Sequence, residues 1–371
     1  MSEEADILII GGGVIGLTAA YFLAREQVQV EIIDQGDLGK EASWAGAGII
    51  PPADPAHTHD PFDQLRAHSS VLFPKLSAKL KEETGIDNGY RRSGGLVFHD
   101  PEETYFEREW RSEGVRFEEV NGEALRRLEP AVSHAVLRSE RATAFFLPEL
   151  AQVRNPWHLK ALEGYCQGRG VRLRPRCPVL GFERQGSRII GVRAQDGTIR
   201  ARRYLVTAGA WTSGLLEPLG WRPKIKPIRG QIALLNTGTP IIHRVLLQGK
   251  RYLVPREDGR VLAGSTEEDV GFDKSTTSEA IEGLLSFAAA LVPALANAAR
   301  ERSWAGLRPG SLDGLPFIGP FPGLDNLYVA AGHFRAGIQL SPATGLVLKE
   351  LLLGQPLTVS LESFRLDRKL V

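Results

Sequence analysis

Residues 6–34, which read DILIIGGGVIGLTAAYFLAREQVQVEIID, contain the pattern that decides the fold. An apolar and largely β-branched run at residues 7–10 predicts a strand that is buried on both faces. Three glycines with the spacing G-x-G-x-x-G follow it: Gly11, Gly13 and Gly16. The next residues carry apolar side chains at helical intervals, and a second apolar run at residues 28–33 predicts a strand that ends at Asp34.

Each glycine of this pattern has its own physical role. The first permits a tight turn after the strand, the second allows a pyrophosphate to approach the backbone, and the third allows the helix to pack closely on the sheet. The free N–H groups and the positive end of the helix dipole can then bind phosphate. The carboxylate of Asp34 can accept hydrogen bonds from an adenosine ribose. A strand before the glycines, a helix after them and an acid beyond favour a site for an ADP-containing dinucleotide over an ordinary strand–turn–helix unit.

The composition limits the classes of partner. The chain has 371 residues, enough for two domains or one elaborated domain. Its net charge of +1 gives no field that would attract nucleic acid or anionic lipid, so we predict neither partner. An acidic segment precedes the uncharged residues 7–24 and glycines interrupt them, which argues against a signal peptide or a membrane span. We therefore expect a cytoplasmic protein, with Cys166 and Cys177 reduced and no metal site.

The middle of the chain predicts two helices and several antiparallel strands. A helix is expected at residues 155–169 with Asn155 as its N-cap, and a hairpin is expected around the turn at residues 257–259. Thr276 and Glu279 form the pattern of a capping box at the start of another helix. A small antiparallel sheet is expected from the strands at residues 171–174, 179–184, 189–194 and 199–204.

The C-terminal region repeats the order of the opening motif: a strand, a glycine turn and a helix. Residues 327–331 predict a buried strand, and the stretch GHFRAGIQLSPATG at residues 332–345 predicts a glycine turn followed by a helix. The start of that helix can present N–H groups to a second anionic centre. Before it, the stretch WAGLRPGSLDGLPFIGP at residues 304–320 places Arg308 in a region that its glycines and prolines predict to be a loop. We therefore expect the two ends of the chain to build one cofactor site.

Five stretches together resemble the D-amino acid oxidase family of FAD-dependent amine oxidoreductases: the opening motif, ASWAGAG (42–48), TAGAW (207–211), WAGLRPGSLDGLPFIGP (304–320) and AGHFRAGIQLSPATG (331–345). The resemblance runs nearly end to end and implies an α/β fold, α+β overall. A Rossmann-like FAD-binding domain is expected from residues 1–80, 145–220 and 301–371. A second, largely antiparallel β domain that binds the substrate is expected from residues 81–144 and 221–300.

The resemblance also implies non-covalent FAD. Relatives with a covalent flavin use a cysteine near the C-terminal motif, and no cysteine follows Cys177. The family more often has Glu at the position of Asp34, although the shorter carboxylate can still reach the ribose. The implied cofactor-binding residues are Gly11, Gly13, Val14, Ile15, Gly16, Asp34 and Gln35 for ADP; Ala42, Ser43, Ala47, Gly48 and Ile49 for the ribityl chain and the edge of the ring system; Val179 for adenine; and His333, Phe334, Arg335, Ala336, Gly337, Ile338 and Gln339 for the pyrimidine end. Gly209, among the small residues of TAGAW at the end of a predicted strand, is also expected to bind the flat cofactor.

Three further residues are implied to bind the substrate. Arg308 would clamp the carboxylate of a small amino acid, because a guanidinium can form two parallel hydrogen bonds to a carboxylate. Tyr252 would donate a hydrogen bond from its hydroxyl, and Arg335 could approach the flavin or the substrate. The alternatives are a surface ion pair for Arg308, a core or interface tyrosine for Tyr252 and a solvated helix-end charge for Arg335. His333 could instead only cap the last helix.

The activity implied by the resemblance is oxidative deamination of glycine, sarcosine or short D-amino acids. A hydride would pass from Cα to flavin N5, and O2 would reoxidise the flavin and give H2O2. The implied assembly is a homotetramer. Within the family the chain is most similar to the branch that makes the thiamin thiazole precursor, so a thiazole synthase could receive the imine. The alternatives are a D-amino acid, proline or 2-hydroxy acid dehydrogenase with another electron acceptor, a flavin-bearing tRNA-modification module, which the net charge disfavours, and a flavin-binding protein without catalysis.

Overall fold

The computed structural model describes residues 4–98, 106–133, 144–222 and 225–369. The α-helices in these ranges are α1 (Val14–Leu23), α2 (Ala42–Ala45), α3 (Pro61–Thr84), α4 (Phe106–Ser112), α5 (Gly122–Leu128), α6 (Asn155–Gly168), α7 (Thr212–Leu216), α8 (Ser278–Leu291) and α9 (Gly337–Leu353). None of these described helices is both long and apolar enough to cross a membrane.

The strands of the same ranges form four sheets. In chain order they are β1 (Ala5–Ile10), β2 (Val30–Ile33), β3 (Ile49–Ile50), β4 (Arg91–Arg92), β5 (Gly95–Phe98), β6 (Glu118–Val120), β7 (Ala144–Leu147), β8 (Ala151–Gln152), β9 (Arg172–Arg174), β10 (Gly181–Gln185), β11 (Arg188–Ala194), β12 (Gly197–Ile199), β13 (Ala201–Val206), β14 (Lys226–Asn236), β15 (Val245–Gln248), β16 (Arg251–Pro255), β17 (Arg260–Gly264), β18 (Ala299–Gly310), β19 (Phe317–Pro320) and β20 (Leu327–Ala331).

A six-stranded sheet with the order β19-β20-β13-β1-β2-β9 is built on the opening motif. Its strands are parallel except for the edge strand β19. Strand β1 lies between β13 and β2, and α1 begins at Val14, directly after Gly13. The strand–glycine–helix–strand order predicted from residues 6–34 is therefore confirmed.

Helices α1, α3, α6 and α9 pack on one face of this sheet around Leu17, Phe73, Leu162 and Val347, all buried. The antiparallel sheet β10-β11-β12 covers the other face. The N- and C-terminal motifs meet where α1 crosses α9. A Cβ at Gly345 would lie 2.9 Å from the backbone of Thr18, so glycine is needed for this close helix–helix approach.

An eight-stranded sheet with the order β18-β14-β17-β16-β15-β5-β7-β6 forms the second layer. Its pairs are antiparallel except for β15 with β5, and α8 packs on it. The hairpin predicted around residues 257–259 is confirmed as β16 and β17. The loop predicted around Arg308 is wrong, because Arg308 lies in β18. This strand is at the sheet edge, where a proline such as Pro309 is tolerated.

Two other strand predictions need correction. Residues 171–174 were predicted in the small antiparallel sheet, but β9 pairs parallel with β2 in the six-stranded sheet. Residues 199–204 divide between β12 of the small sheet and β13 of the six-stranded sheet. A short strand carries no periodicity that tells which sheet it joins, so its partner is decided by the tertiary fold.

Both predicted N-caps are displaced by one residue. The N-cap of α6 is Arg154, because the Asn155 side chain is turned instead to the carbonyl of Ser43. The N-cap of α8 is Thr277, whose hydroxyl accepts a hydrogen bond from the amide of Ala280.

The division into two domains stays a prediction. The predicted ranges contain residues 1–3, 99–105, 134–143, 223–224 and 370–371, which lie outside the described residues. Strand β18 pairs with β14 in the eight-stranded sheet, although residue 301 onward was assigned to the FAD-binding part.

Candidate active site

A cavity of about 860 Å³ is lined by residues from both large sheets and from both ends of the chain. With one exception, Gly16, every residue predicted to bind cofactor or substrate lines it. The lining residues from the prediction are Gly11, Gly13, Val14, Ile15, Asp34, Gln35, Ala42, Ser43, Ala47, Gly48, Ile49, Val179, Gly209, Tyr252, Arg308, His333, Phe334, Arg335, Ala336, Gly337, Ile338 and Gln339.

The glycine turn explains why Gly16 does not line the cavity. Gly11 has φ +114°, and a Cβ there would lie 2.5 Å from the carbonyl oxygen of Thr207. The Thr207 hydroxyl donates to the carbonyl of Gly11 at 2.7 Å. Gly16 lies beneath this turn, where a Cβ would be 2.1 Å from the same Gly11 oxygen. Gly16 therefore allows α1 to pack closely against the turn, as its place in the glycine pattern predicts, and its contact with the cofactor stays a prediction.

Asp34 stands at the end of β2, and backbone amides hold both of its carboxylate oxygens. Gly12 N–H donates to Oδ2 at 2.7 Å, and Gly36 N–H donates to Oδ1 at 2.8 Å. Burial raises the pKa of Asp34, and the two amide hydrogen bonds oppose this rise. The carboxylate is thus fixed in orientation at the cavity wall.

Helix α2 and the small-residue loop that follows it form the next part of the wall. The hydroxyl of Ser43 accepts a hydrogen bond from the amide of Val14 at the start of α1, at 3.0 Å. The backbone of this loop runs against Val153, since a Cβ at Gly48 would lie 2.1 Å from the Val153 carbonyl oxygen. Asn155, which is buried, donates to the carbonyl of Ser43 at 2.8 Å. The small residues therefore allow the loop to lie between the cavity and β8.

The C-terminal motif supplies another part of the cavity wall. His333 is buried, its Nε2 lies 3.3 Å from the hydroxyl of Thr344, and burial lowers its pKa to about 3, so its imidazole is neutral. Helix α9 starts at Gly337, and the side-chain amide of Gln339 donates to the carbonyl of Pro51 at 3.2 Å. The backbone N–H groups of the first helical turn thus lie at the cavity wall.

The side chains of Arg308 and Tyr252 lie over strands β14 and β17. Each of these strands carries a glycine beneath the side chain that lies on it. A Cβ at Gly230 in β14 would lie 2.2 Å from both Nη atoms of Arg308, and a Cβ at Gly264 would lie 2.7 Å from the Tyr252 hydroxyl. Arg308 donates to Ser265 Oγ at 2.7 Å and to the carbonyl of Thr266 at 3.1 Å. Burial lowers the pKa of Arg308, and the neighbouring Tyr252 opposes this change.

Sequence reasoning missed the glycine floor formed by Gly230 and Gly264. A signal for it was present, because a glycine inside a strand weakens the strand and often marks a close approach of another group. It also missed Arg256, which is buried behind the loop at Ala47.

Arg335 lines the same cavity and is partly exposed. Its guanidinium pairs with Glu267 at 3.1 Å and donates to the carbonyl of Lys250 at 3.2 Å. Lys250 pairs with the other carboxylate oxygen of Glu267 at 3.4 Å. Two cations therefore share one carboxylate beside Arg308.

Comparison with known proteins identifies the family. Residues 6–351 match the family described as FAD dependent oxidoreductase, DAO. The chain belongs to this family.

Similar members of the FAD-dependent oxidoreductase family agree over the whole length. A glycine oxidase of Pseudomonas aeruginosa is 37% identical over 357 residues, which cover 96% of each chain. The bifunctional protein ThiO/ThiG of Trichormus variabilis is 33% identical over 98% of this chain and 55% of its own length. The crystal structure of glycine oxidase from Geobacillus kaustophilus superposes with a TM-score of 0.92 at 30% identity and covers 100% of both chains. The enzyme class is thus an FAD-dependent amino-acid oxidase, as the sequence resemblance implied.

The residues present fit FAD. The positive φ of Gly11 leaves the start of α1 facing a cavity, and no Cβ blocks the backbone at Gly11 or Gly13. Asp34 is oriented by two amides at the position where a ribose is bound in this type of fold. The start of α9 provides a second group of N–H donors on the same cavity.

Proposed function

We propose that this protein oxidises the amine group of glycine and of similarly small amino acids, and that O2 is the final electron acceptor. The observation that carries the proposal is the convergence of Arg308 and Tyr252 over the glycine floor, on the wall of the cavity that fits FAD. The similarity to glycine oxidases of two organisms supports the same substrate class.

Arg308 would bind the substrate carboxylate. Its hydrogen bonds to Ser265 and Thr266 fix the plane of the guanidinium, which has five N–H donors in total. The donors that remain can form the bidentate pair that a carboxylate requires. The Tyr252 hydroxyl is the neighbouring polar group, and it can donate a further hydrogen bond to the same carboxylate.

The wall beside Tyr252 favours a small substrate without a charged side chain. Tyr252 packs in one apolar cluster with Ile232, and Ile49 and Leu247 lie against that cluster. All four residues line the cavity. An apolar wall excludes water and has no partner for a polar or charged side chain, so glycine, sarcosine and short D-amino acids are the substrates we expect.

The residues do not require a general base for this chemistry. Of the described residues that line the cavity, Asp34 and Glu41 carry carboxylates, and neither lies on the strands that carry Arg308 and Tyr252. Glu41 is paired with Lys274 at 2.9 Å. An amine that arrives neutral needs only orientation. When bound, FAD supplies a hydride acceptor. The start of α9 would offer N–H groups and a positive dipole to an anionic centre beside it, and the neutral His333 would hold this helix start in place.

Three broader parts of the proposal come from the resemblance and the relatives. Delivery of the imine to a thiazole synthase is supported by the bifunctional ThiO/ThiG relative. A homotetramer in the cytoplasm is expected from the family. Size-exclusion chromatography with light scattering tests the tetramer, and transfer of product to a separately purified thiazole synthase tests the delivery.

The central experiment is anaerobic titration of the purified yellow protein with glycine, sarcosine, D-alanine, D-proline and glycolate. We expect glycine to bleach the flavin and air to restore the colour quickly with formation of H2O2. Bleaching without rapid recolouring in air would instead identify a dehydrogenase with another acceptor. A flavin that none of the amino acids bleaches would refute the proposed substrate class.

A further inference from the structure

Arg256 is a buried arginine behind the cavity wall, at the end of the hairpin strand β16. Only 8% of its surface is exposed. One guanidinium nitrogen, Nη1, donates to Gln152 Oε1 at 2.8 Å and to the carbonyl of Val153 at 3.2 Å. The other, Nη2, donates to the carbonyl of Ala47 at 2.8 Å. A single side chain thus binds two separate segments of the chain.

The segment at Ala47 and the strand that precedes Arg256 carry the two halves of the candidate site. Ala47 belongs to the small-residue loop that lines the cavity, and this loop is held in turn by a hydrogen bond from the amide of Val153 to the carbonyl of Gly48 at 2.8 Å. Arg256 itself follows β16, the strand that carries Tyr252. The guanidinium therefore connects β16, which carries the candidate substrate ligand Tyr252, to the loop at Ala47. The resemblance implies that this loop lines the flavin ring system.

The chemistry of the contact is unusual for a buried cation. All three acceptors are neutral oxygens, and burial lowers the pKa of Arg256 to about 9. The acids of the adjacent turn are engaged by other arginines: Asp258 by Arg154 at 2.8 Å and Glu257 by Arg91 at 3.0 Å. Burying a charge without a counterion costs free energy, so stability alone does not account for an arginine here. The planar guanidinium accounts for it, because its nitrogens can donate to two segments at once and the ammonium of a lysine cannot reproduce that geometry.

We propose that Arg256 is a positioning residue for amine oxidation, which sets the placement of Tyr252 relative to the loop at Ala47. The proposal rests on the proposed function, since the substrate role of Tyr252 and the flavin role of this loop are parts of it. Arg256 does not line the cavity. Its effect on the reaction would pass through the loop at Ala47 and through β16.

The test compares Arg256→Lys, which keeps the charge, and Arg256→Gln, which removes it, with the control Arg260→Gln. Arg260 lies on the same hairpin but pairs with Asp258 and Glu301 at the surface. Each protein is saturated with FAD, and the rate constant of flavin reduction by glycine is measured by anaerobic stopped flow. We expect both Arg256 variants to lose roughly tenfold or more in this rate constant, with the control within about twofold of the wild type.

Two further readouts, the visible circular dichroism and the thermal midpoint, separate the positioning role from stability and from the choice of substrate. The visible circular dichroism of the bound flavin reports the geometry around its ring without any substrate. We expect it to change in both Arg256 variants and not in Arg260→Gln. A purely structural role would lower the thermal midpoint but leave the FAD-loaded variants with wild-type dichroism and reduction rate, and that result would overturn the proposal.

The dichroism also decides the case in which the wild type reacts with no amine. The proposed function would then fail, and an unchanged spectrum in Arg256→Lys would overturn the positioning role as well. A changed spectrum would support the positioning role alone. If Arg256→Gln does not fold, Arg256→Lys decides by the same criteria.

Discussion

Arg308 and Tyr252 reach the same space from strands β18 and β16, which lie on either side of β14 and β17. The side chain of Arg308 crosses β14 at Gly230, and that of Tyr252 crosses β17 at Gly264. The two glycines provide the room for this convergence. The identity of the residues beneath the anchors therefore matters as much as the anchors themselves.

Replacement of either floor glycine should damage substrate binding without loss of FAD. A Cβ in Gly230→Ala would lie 2.2 Å from the Arg308 guanidinium, and one in Gly264→Ala would lie 2.7 Å from the Tyr252 hydroxyl. We expect KM for glycine to rise roughly tenfold or more in each variant, because a displaced anchor loses its geometry. Steady-state oxygen consumption measures KM. Gly283→Ala is the matched control, since a Cβ at Gly283 meets no atom within 4 Å. Two floor variants with wild-type KM would show that the convergence is unimportant.

Asp34 should control FAD affinity. Both of its oxygens accept backbone N–H groups, so Asp34→Asn would turn an amide donor toward one of those donors. We expect the Kd of FAD to rise roughly tenfold, equivalent to about 1.4 kcal/mol. Fluorescence titration of the apoprotein with FAD measures this Kd. Asp37→Asn, an exposed carboxylate paired with Arg176, serves as the control, and equal affinities in the two variants would refute the role of Asp34.

Glu267 should moderate the positive charge beside the substrate site. Its carboxylate pairs with Arg335 and Lys250. Burial lowers the pKa of Arg308; the carboxylate of Glu267 raises it, while the positive charge of Arg335 lowers it further. Glu267→Gln leaves the two cations unbalanced, so we expect KM for glycine to fall about two- to threefold at low ionic strength. High salt should remove this difference because it screens exposed charges. A KM that rises, or a change that persists in high salt, contradicts this electrostatic account. Glu301→Gln, at a surface pair with Arg260, is the control.

Two buried histidines should make the protein sensitive to acid. Burial lowers the pKa of His158 from 6.5 to about 4 and that of His333 to about 3. The unfolded chain binds these protons first, so the stability that the neutral histidines contribute is present above the unfolded pKa and falls as pH drops below it. For each of these histidines, the unfolding free energy of the protein should fall by about 2 kcal/mol between about pH 7 and pH 5. Urea unfolding at the two pH values measures this loss.

His158 offers a direct check of that pH dependence. Its Nδ1 lies 3.0 Å from the side-chain nitrogen Nδ2 of Asn88, and the His158 side chain is fully buried. His158→Gln removes one titrating group, so the difference in unfolding free energy between the two pH values should shrink by about 2 kcal/mol. His57→Gln, at an exposed histidine, is the control. An equal pH dependence in wild type and His158→Gln would mean that His158 is not the acid-sensitive group.

The sequence predicted which residues line one cavity better than it predicted the strands around that cavity. The glycines after β1 and the acid after β2 act through local backbone geometry, which a short motif specifies. Arg308 was found by resemblance but expected in a loop, because glycine and proline punctuate its stretch and nothing local shows that β18 is an edge strand. The partner of β9 was also missed, since four residues of alternating pattern do not say which sheet they join.

Arg256 shows the limit of such reasoning in physical terms. In the sequence it is one of three arginines in RYLVPREDGR, residues 251–260, next to two acids, and a surface ion pair is the ordinary interpretation of such a pattern. Its actual acceptors, Ala47, Gln152 and Val153, are distant in the chain. Only the three-dimensional structure reveals that Arg256 is buried while the adjacent charges are paired with other residues.

The most direct test of the account is the preference of the enzyme for a carboxylate, measured with and without Arg308. The rate of flavin reduction by glycine is compared with that by methylamine, which lacks the carboxylate, in the wild type, Arg308→Lys and Arg308→Ala. We predict that kcat/KM for glycine falls roughly a hundredfold or more in Arg308→Ala, equivalent to about 3 kcal/mol, while FAD stays bound and methylamine is unaffected. Arg308→Lys should recover only part of the loss, because an ammonium cannot form the bidentate pair. A wild-type KM for glycine in Arg308→Ala would contradict the central claim that Arg308 holds the substrate.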